Sequence, residues 1–549
     1  MSEKLLTLPI GIQSFEKLRQ GNYLYVDKTD GLLELITSSP WCFLSRPRRF
    51  GKSLTLSTLD AMFSGKAELF KGLTAEEWVK YQSKHPAPVL RFDMSRLGTT
   101  ASPKGLDKAI VADLKDIAND HELILTNEEH EEEVGETECS RMLKSVIRAL
   151  YKAGGPVVVL IDEYDKPMLD NIGDLNKANA MRMILRSFYT VLKSCDEYLR
   201  FVMLTGISKF SKTGVFSAMN NLEDISMDRQ YGDIVGYTQD ELQENFSAWI
   251  DSAADRMNLS RVEFLDRLKD YYDGFCFDGK TKLYNPFSMM QCLKKGEIAN
   301  YWYESGSPSF IVEYMKQHGI KDPEQYSGIS VEANFMNSQE IECADPASFL
   351  YQAGYLTISA KEEQELTLDY PNREVRDSIA SMYLKHVYHV KSYSALGSQL
   401  WKAIKAHDMA KVVELYNIAL AGIPYDDYDR HESLVPTAVQ GDIRVLSAAD
   451  QGESWYRSMF LMLLRGAGIT GNGEAHTNRG RPDVIAQFPE QVVVFEFKYA
   501  KESSDIKSKR TEGEQQIVEK NYVKQYGAEG RTVTTAVIVI DGKRREAIL

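Results

Sequence analysis

The short stretch from Trp41 to Ser53 (WCFLSRPRRFGKS) constrains the fold more than any other part of the chain. Its first four residues are apolar and have the length of a buried strand, and Gly51-Lys52-Ser53 opens a pattern with helical spacing. A strand, a tight loop and a GKS at a helix start bind phosphates through backbone N–H groups. Lys52 would reach the β- and γ-phosphates, and the Ser53 hydroxyl would bind Mg²⁺. The full GxxxxGK[ST] motif begins with glycine where this chain has Ser45, so the match is partial.

A second motif, PVVVLIDEYDKP at Pro156 to Pro167, supplies the carboxylates that such a site needs. The apolar run from Val157 to Ile161 predicts a strand buried on both faces, as in a parallel sheet. Asp162 and Glu163 follow at its carboxyl end, the edge at which open α/β sheets bind ligands. Asp162 fits the Mg²⁺-binding position, and Glu163 is placed to orient or deprotonate the attacking water. A core strand that ends in solvated acids is the alternative, and the upstream GKS favours the nucleotide site.

Further candidates for the nucleotide site lie in the flanking segments. Residues 199–204 (LRFVML) predict a strand that ends before Thr205 and Ser208, whose hydroxyls can contact the γ-phosphate or the attacking water. Tyr25 and Lys28 precede the phosphate loop, where segments often lie over the adenine, although packing and a helix cap explain them more simply. The residues assigned to ATP are Arg48, Arg49, Gly51, Lys52, Ser53, Asp162, Thr205 and Ser208, with Ser53 and Asp162 as Mg²⁺ ligands and Glu163 as the catalytic residue.

The length and composition of the chain indicate a globular protein with several domains. At 549 residues the chain exceeds the size at which one core stops growing, so two to four domains are expected. The six cysteines are scattered without a CxxC pair, which argues for a reducing cytoplasm and against a zinc site or a disulfide framework. No segment approaches the length of a membrane span, and the N-terminus lacks the apolar core of a signal peptide. We therefore expect a cytoplasmic protein.

The order of the predicted elements divides the chain into five parts. Residues 54–225 alternate helical patterns with short apolar runs, which predicts an α/β fold with a doubly wound parallel sheet. The segment after it is helical and aromatic, as in a lid, and a small winged-helix unit follows. The expected domains are a P-loop AAA-like ATPase core at 1–232, a helical lid at 233–330, a winged-helix-like segment at 331–375, a helical connector at 376–440 and a PD-(D/E)XK nuclease-like α/β domain at 441–549.

A second chemical site is predicted near the C-terminus. Asp483 begins one predicted strand, and Glu496 and Lys498 share one face of the next, because side-chain direction alternates with a period of two residues. Converging carboxylates make a hard oxygen site for Mg²⁺, and a nearby lysine can activate water and stabilise the pentavalent phosphate. Glu453 lies on an otherwise apolar helix, where an acid needs a partner, and Gln516 lies on a downstream helix. A surface hairpin with chance charges is the alternative.

The whole chain resembles the bacterial family of predicted AAA-ATPase-like proteins that end in a PD-(D/E)XK nuclease domain. The resemblance rests on motifs spread over nearly the whole chain: LPIGIQSFEKLR, YVDKT, SRPRRFGKS, VVVLIDEYDKP, LTGISKF, LYNPFS, YWYESGSP, YQAGYLTI, RGRPDVI, FEFKYA and IDGKRRE. Members of this family carry RPRR-FGK[ST] in place of the full phosphate-loop motif, which accounts for Ser45. The resemblance implies nucleotide roles for Lys52, Ser53, Asp162 and Glu163, and nuclease roles for Glu453, Asp483, Glu496, Lys498 and Gln516.

Three hypotheses for function remain open at this point. In the first, ATP and Mg²⁺ binding moves the lid, and this movement gates or loads a Mg²⁺-dependent nuclease that processes nucleic acid or acts in defence. In the second, the protein is a nucleotide-dependent switch whose nuclease-like domain only binds nucleic acid or protein, and in the third an ATPase acts on protein partners. The joint presence of Asp483, Glu496 and Lys498 favours the enzyme, because a retired site tends to lose one of its residues. We expect nucleic acid as the partner, with DNA favoured, and leave a homo-oligomer open; the net charge of −14 does not exclude this partner, because only the local field in a groove matters.

Overall fold

The computed structural model describes most of the chain, in two compact units. The described residues are 5–97, 102–125, 137–209, 221–304, 309–318, 323–336, 345–362, 365–390, 393–423, 448–473, 483–520 and 530–549. The first unit consists of Met1–Tyr314 and Tyr326–Val375, and the second unit consists of Met315–Gln325 and Arg376–Leu549. Across the described residues, no helix has both the length and the apolar character needed to span a bilayer.

A five-stranded parallel sheet forms the centre of the first unit. Its strands are β1 (Trp41–Ser45), β2 (Val89–Asp93), β3 (Val157–Asp162), β4 (Leu199–Gly206) and β5 (Glu223–Asp224). They lie in the order β2-β3-β4-β1-β5, and every pairing is parallel. Every residue of β1 and β3 is buried, as expected of strands covered on both faces. The predicted α/β fold class is confirmed.

The helices follow the local signals of the sequence. In the helix Glu138–Gly154, for example, Leu143, Ile147 and Leu150 share one buried face, and Gly155 ends the helix at φ +86°, a conformation that favours glycine. The α-helices among the described residues are Phe15–Gln20, Thr29–Ser38, Lys52–Phe63, Glu76–Gln82, Pro103–Asp120, Glu138–Gly154, Lys166–Leu169, Leu175–Ser194, Gln239–Asn245, Ser247–Arg256, Arg261–Tyr272, Pro286–Lys295, Tyr301–Glu304, Ser309–Gln317, Pro346–Gln352, Arg373–Met382, Tyr393–Lys405, Met409–Ala421, Ala448–Gly466 and Ile506–Lys520.

The segment predicted as a lid builds its own hydrophobic core together with the N-terminus. Leu8, Leu24 and Val26 pack in one cluster with apolar side chains of the helices between residues 239 and 295. Leu8, Leu24 and Val26 therefore belong to the hydrophobic core of the lid, although in sequence they lie just before the phosphate loop. Burying this shared apolar surface holds the lid and the start of the chain together.

Two small antiparallel sheets complete the first unit. The first pairs β6 (Phe275–Cys276) with β7 (Lys282–Leu283). The second contains β8 (Ile329–Glu332), β9 (Thr357–Glu362) and β10 (Glu365–Asp369) in the order β8-β10-β9. This second sheet lies in the segment predicted as winged-helix-like; that interpretation, like the five-part division of the chain, stays a prediction.

The second unit is built around a mixed sheet with helices on both faces. Its strands are β11 (Thr470–Gly473), β12 (Val484–Gln487), β13 (Gln491–Ala500), β14 (Thr532–Asp541) and β15 (Glu546–Ile548), in sequence order across the sheet. The long central pair β13–β14 is parallel, and the other pairs are antiparallel. Phe460 of the helix Ala448–Gly466 packs on Phe495 and Phe497 of β13. Ile517 of the helix Ile506–Lys520 lies in a cluster with alternate residues of β13 and β14.

Candidate functional site

The phosphate loop, residues 46–51, joins β1 to the helix Lys52–Phe63 and surrounds the Lys52 ammonium. Nζ of Lys52 donates hydrogen bonds to the carbonyl oxygens of Arg46 (2.7 Å) and Pro47 (2.9 Å). Burial lowers the pKa of Lys52, and Glu163 with its acidic neighbours opposes that shift. Gly51 has φ +101°, which a side chain would disfavour at the start of this helix. The lysine is therefore held in the loop by two carbonyl groups, with Glu163 and its acidic neighbours close enough to act on its charge.

The two predicted acids lie at the carboxyl end of β3. Oδ1 of Asp162 accepts hydrogen bonds from Oγ1 of Thr205 (2.7 Å) and from the Glu163 N–H (3.1 Å). Glu163 has the left-handed φ of +50°, and Arg49 has φ +69°. Such backbone at a non-glycine residue costs roughly 1–3 kcal/mol and concentrates at functional sites. Burial raises the pKa of Glu163, whereas the Lys52 ammonium lowers it. A carboxylate with a raised pKa suits the role of a proton acceptor.

Asp165 fastens the segment after β4 to the acidic strand end. Its Oδ2 accepts hydrogen bonds from the N–H groups of Ile207 (3.0 Å) and Ser208 (2.7 Å) and from the Ser208 hydroxyl (2.6 Å). The Ser208 hydroxyl is thus turned towards Asp165, as the Thr205 hydroxyl is turned towards Asp162. Each hydroxyl thus donates its hydrogen bond to a carboxylate. The predicted contact of these hydroxyls with the nucleotide stays a prediction.

A cavity of about 390 Å³ opens beside the phosphate loop. Its volume falls in the range of about 300–1,000 Å³ that small-molecule sites occupy. The predicted residues that line it are Tyr25, Lys28, Arg48, Arg49, Gly51, Lys52, Ser53 and Glu163. The lining also includes the apolar residues Leu24, Val26, Ile234, Val235, Phe287 and Met290. Lys28 also pairs with Glu241, and the Arg49 guanidinium lies over the Phe287 ring at 4.9 Å. The cavity therefore offers both cationic and apolar side chains, the two kinds of surface that the phosphates and the base of a nucleotide need.

Segments far downstream in the sequence contact the phosphate loop, and sequence reasoning missed them. The Trp302 Nε1–H donates to the Arg48 carbonyl (3.4 Å). Gly354, at φ +86°, lies so close to Pro47 that an added Cβ would approach the proline Cβ within 2.5 Å. Trp302, Ala353 and Tyr355 line the cavity. These contacts leave no local pattern in the sequence, because they depend on how distant segments fold back.

The residues around the cavity fit ATP and Mg²⁺ in chemical type. Arg48, Arg49 and Lys52 supply cations on the phosphate side, and Ser53 and Asp162 supply the oxygen ligands that Mg²⁺ prefers. The loop carbonyls that now bind Lys52 leave its ammonium at the cavity edge. Of the predicted nucleotide residues, the cavity is thus lined by Arg48, Arg49, Gly51, Lys52, Ser53 and Glu163, whereas Asp162, Thr205 and Ser208 are not among its lining residues.

In the second unit, Glu496 and Lys498 lie on the same face of β13, and both side chains are buried. Nζ of Lys498 donates to Oε1 of Glu496 (2.8 Å) and to the Phe497 carbonyl (2.9 Å). Oε2 of Glu496 is buried and has no hydrogen-bond partner among the described residues. A buried carboxylate oxygen without a partner is costly, so this atom is a natural ligand for a cation.

Two further predicted acids approach the same strand. Oδ2 of Asp483 accepts from the Phe497 N–H (2.7 Å), and its Oδ1 accepts from Arg457 (3.3 Å). Oε2 of Glu453 accepts from the Tyr499 N–H (3.0 Å). Burial, reinforced by the Asp483 charge, raises the pKa of Glu496 to about 7, and burial also raises the pKa of Glu453. Both shifts indicate acids that would gain from a nearby cation.

The fit of a metal to these acids is uneven. No set of three or more His, Cys, Asp or Glu side chains in the described parts of the chain is arranged to hold a metal ion. Glu496 offers its unpartnered oxygen directly, whereas both oxygens of Asp483 are engaged by protein donors. Gln516 lies one helical turn after Gly513, which packs against Lys498. The oxygen donors are thus of the type that Mg²⁺ prefers, but in this arrangement Oε2 of Glu496 is unpartnered while Oδ1 of Asp483 is paired with Arg457.

Arg457 is the charged residue of this site that sequence reasoning missed. It follows Glu453 by four residues on the helix Ala448–Gly466, so both side chains lie on one helix face. That spacing was visible in the sequence. Its partner was not, because Asp483 meets the helix only through the packing of the sheet.

Comparisons with known proteins agree with this two-unit arrangement. The family described as "Predicted AAA-ATPase" matches residues 9–216, and the "PD-(D/E)XK nuclease superfamily" matches residues 451–548. The "Uncharacterized protein in vnfD 5'region" of Azotobacter chroococcum mcd 1 is 33% identical over 535 residues, which cover 96% of this chain and 95% of that protein. The structure of the Aeropyrum pernix Orc1 protein in complex with DNA matches 65% of this chain and 93% of its own at 8% identity, and its TM-score of 0.25 is too low to carry an argument.

Proposed function

Because the chain belongs to the family of predicted AAA-ATPases with a C-terminal PD-(D/E)XK nuclease domain, we propose that its first unit hydrolyses ATP and that its second unit cleaves nucleic acid. One observation carries the proposal: in each unit a buried lysine and a nearby carboxylate act on each other electrostatically. In the first unit these are Lys52 and Glu163, and in the second they are Lys498 and Glu496. DNA is the favoured substrate, and ATP and Mg²⁺ are the cofactors.

In the first unit, Lys52 would exchange its two carbonyl partners for phosphate oxygens. Arg48 and Arg49, which line the same cavity, add positive charge around these phosphates. Mg²⁺, held by Ser53 and Asp162, would neutralise charge on the phosphates. Glu163 would orient the attacking water and accept its proton, a role that its raised pKa favours. The Thr205 hydroxyl would position Asp162 through the hydrogen bond described above.

In the second unit, Glu496 and Asp483 would hold a divalent cation, which supplies a Lewis acid and an activated water. Lys498 is kept at the site by Glu496 and by the Phe497 carbonyl. Its ammonium would stabilise the negative charge that develops on the phosphate. Although burial lowers the pKa of Lys498, the surrounding carboxylates outweigh that effect and raise it, so the residue stays charged. Lys498 therefore acts as a fixed cation in this proposal and not as a base.

One observation favours a second candidate, the nucleotide-dependent switch that binds nucleic acid or protein without cleaving it. The ion pair between Arg457 and Asp483 fills an oxygen that a metal would need. A switch that has lost cleavage would keep this pair permanently. Cleavage assays separate the two candidates.

The protein is proposed to work in the cytoplasm. Five cysteines within the described residues are buried and free of disulfides: Cys42, Cys139, Cys195, Cys276 and Cys292. Free, scattered thiols are typical of a reducing compartment.

The test is a cleavage assay on the full chain. Linear duplex DNA, circular duplex DNA, single-stranded DNA and RNA are each incubated with Mg²⁺ or EDTA, with and without ATP. We expect cleavage of at least one form that needs Mg²⁺, changes with ATP and is lost in Lys498→Ala. Lys509→Ala, which removes a surface lysine paired with Glu512, is the matched control. ATP hydrolysis without cleavage of any form would exclude the nuclease and support the switch.

A further inference from the structure

The ion pair between Arg457 and Asp483 has the position of a competitor for the metal. A guanidinium nitrogen of Arg457 lies 3.3 Å from Oδ1 of Asp483. The other oxygen, Oδ2, accepts from the Phe497 N–H, which belongs to β13 and cannot move without disrupting the sheet. Oδ1 is therefore the oxygen of Asp483 that a cation can gain, and Arg457 occupies it.

The charges at the site point the same way. Three acids, Glu453, Asp483 and Glu496, contact or belong to residues 496–499 of β13. Two cations, Lys498 and Arg457, offset most of their charge. If a divalent cation were bound, its charge and that of Lys498 would together balance the three carboxylates. Arg457 would then be an excess positive charge. Like charges at close range repel most strongly at a site with little water.

Arg457 is also placed so that it can leave. Its side chain keeps 20% exposure, whereas Asp483 keeps 11% and Lys498 keeps 8%. It projects from the helix Ala448–Gly466 on a long, flexible stem, so its head can swing towards solvent without any change in the backbone. Lys498 donates to two acceptors on its own strand, so its ammonium is fixed to β13 itself.

From this geometry we propose that Arg457 stands in for the divalent cation at Asp483 and that metal binding requires it to move away. Arg457 thereby lowers the metal affinity of the second unit, and its release accompanies loading. This inference rests on the proposed nuclease site and adds a residue that controls its occupancy.

The experiment measures Mn²⁺ binding to the full chain, without nucleotide, by isothermal titration and by the electron paramagnetic resonance of free Mn²⁺. Binding that Glu496→Gln removes is assigned to the second unit. We expect Arg457→Gln to tighten this binding by about tenfold, within the roughly 5- to 150-fold range typical of coupled sites. Arg457→Lys keeps the charge and should change the dissociation constant much less. Arg510→Gln, which removes an exposed arginine paired with Glu514, is the matched control and should leave it unchanged.

A second measurement allows for the case in which a variant is less stable than the wild type. For each protein, the thermal unfolding midpoint is measured with and without Mn²⁺, and only the rise caused by Mn²⁺ is compared. This rise should be larger in Arg457→Gln than in the wild type. Equal or weaker Mn²⁺ binding in folded Arg457→Gln, with binding retained in the wild type, would overturn this inference and leave the nuclease standing. Absence of Glu496-dependent binding in both proteins would overturn the inference together with the proposed metal site.

Discussion

Replacement of Lys52 by alanine should weaken ATP binding strongly while leaving the first unit folded. The Lys52 ammonium donates two hydrogen bonds, to the carbonyl oxygens of Arg46 and Pro47. Both donors would turn to phosphate oxygens when ATP binds. The substitution loses two hydrogen bonds, but it also removes the free-energy cost of burying a cation. These two effects on the stability of the protein without ATP partly cancel. No such compensation exists for the bound phosphates.

The magnitude follows from those two donors. A hydrogen bond that involves a charged group contributes about 1.5–3 kcal/mol, so the loss of even one of them weakens affinity by about 10- to 150-fold. At an ATP concentration about 100 times the wild-type dissociation constant, ATP stabilises the folded protein by about 2.7 kcal/mol. A variant with about 100-fold weaker affinity would gain only about 0.4 kcal/mol at that concentration. At about 2 °C per kcal/mol, a shift near 5 °C would fall below 1 °C.

The assay is thermal unfolding of both proteins over a series of ATP concentrations, with isothermal titration as the direct measure. Lys80→Ala is the control, because Lys80 forms surface pairs with Glu76 and Glu77 outside the cavity. It should keep the full ATP shift. An unchanged ATP shift in Lys52→Ala would refute the phosphate-loop assignment, since no other role of Lys52 predicts the loss.

The remaining predictions concern four other positions. Glu163→Gln keeps the shape of the side chain but cannot accept a proton, so ATP should bind normally while hydrolysis slows by about 10²–10⁴-fold, and a normal rate would assign the base elsewhere. Lys498→Ala should abolish cleavage but retain Mn²⁺ binding, whereas Glu496→Gln should lose both; ATP hydrolysis by the first unit should persist in each, and a joint loss would contradict separate sites. Gly513→Ala places a Cβ 2.6 Å from Cγ1 of Val537, beside Lys498. The free energy of unfolding measured in urea should therefore fall by about 1–3 kcal/mol, and an unchanged value would contradict this packing.

The sequence predicted the sheet of the first unit well, because its strands carry strong local signals. The apolar run from Val157 to Ile161 could hardly be anything but a buried strand, and the structure ends β3 at Asp162, one residue later. The position of β4 between β1 and β3 was beyond such reasoning. Nothing in the order of the chain reveals which strand inserts between two others, because that choice is made by packing across the whole sheet.

In the candidate sites, too, residues in compact sequence motifs were predicted and contacts between distant segments were not. Lys52, Glu163, Glu496 and Lys498 all belong to such motifs, in or directly after predicted strands. The wall of the cavity formed by Trp302 and residues 353–355 was not predicted, since its contacts span most of the first unit. The hydrogen bond between the Ser208 hydroxyl and Asp165 was also not predicted, because it depends on how two strand ends meet in the folded sheet.

The contact between Pro47 and Gly354 bears on how the chain is made on the ribosome. About 300 residues separate the two, so at about 5–20 residues per second some 15–60 s pass between their synthesis. During that interval the nascent chain already carries the phosphate loop, but the wall that covers it has not yet emerged. The wall of the cavity is therefore completed only after residue 355 has left the exit tunnel. Folding of the first unit around this cavity must wait until almost all of the unit has been synthesised.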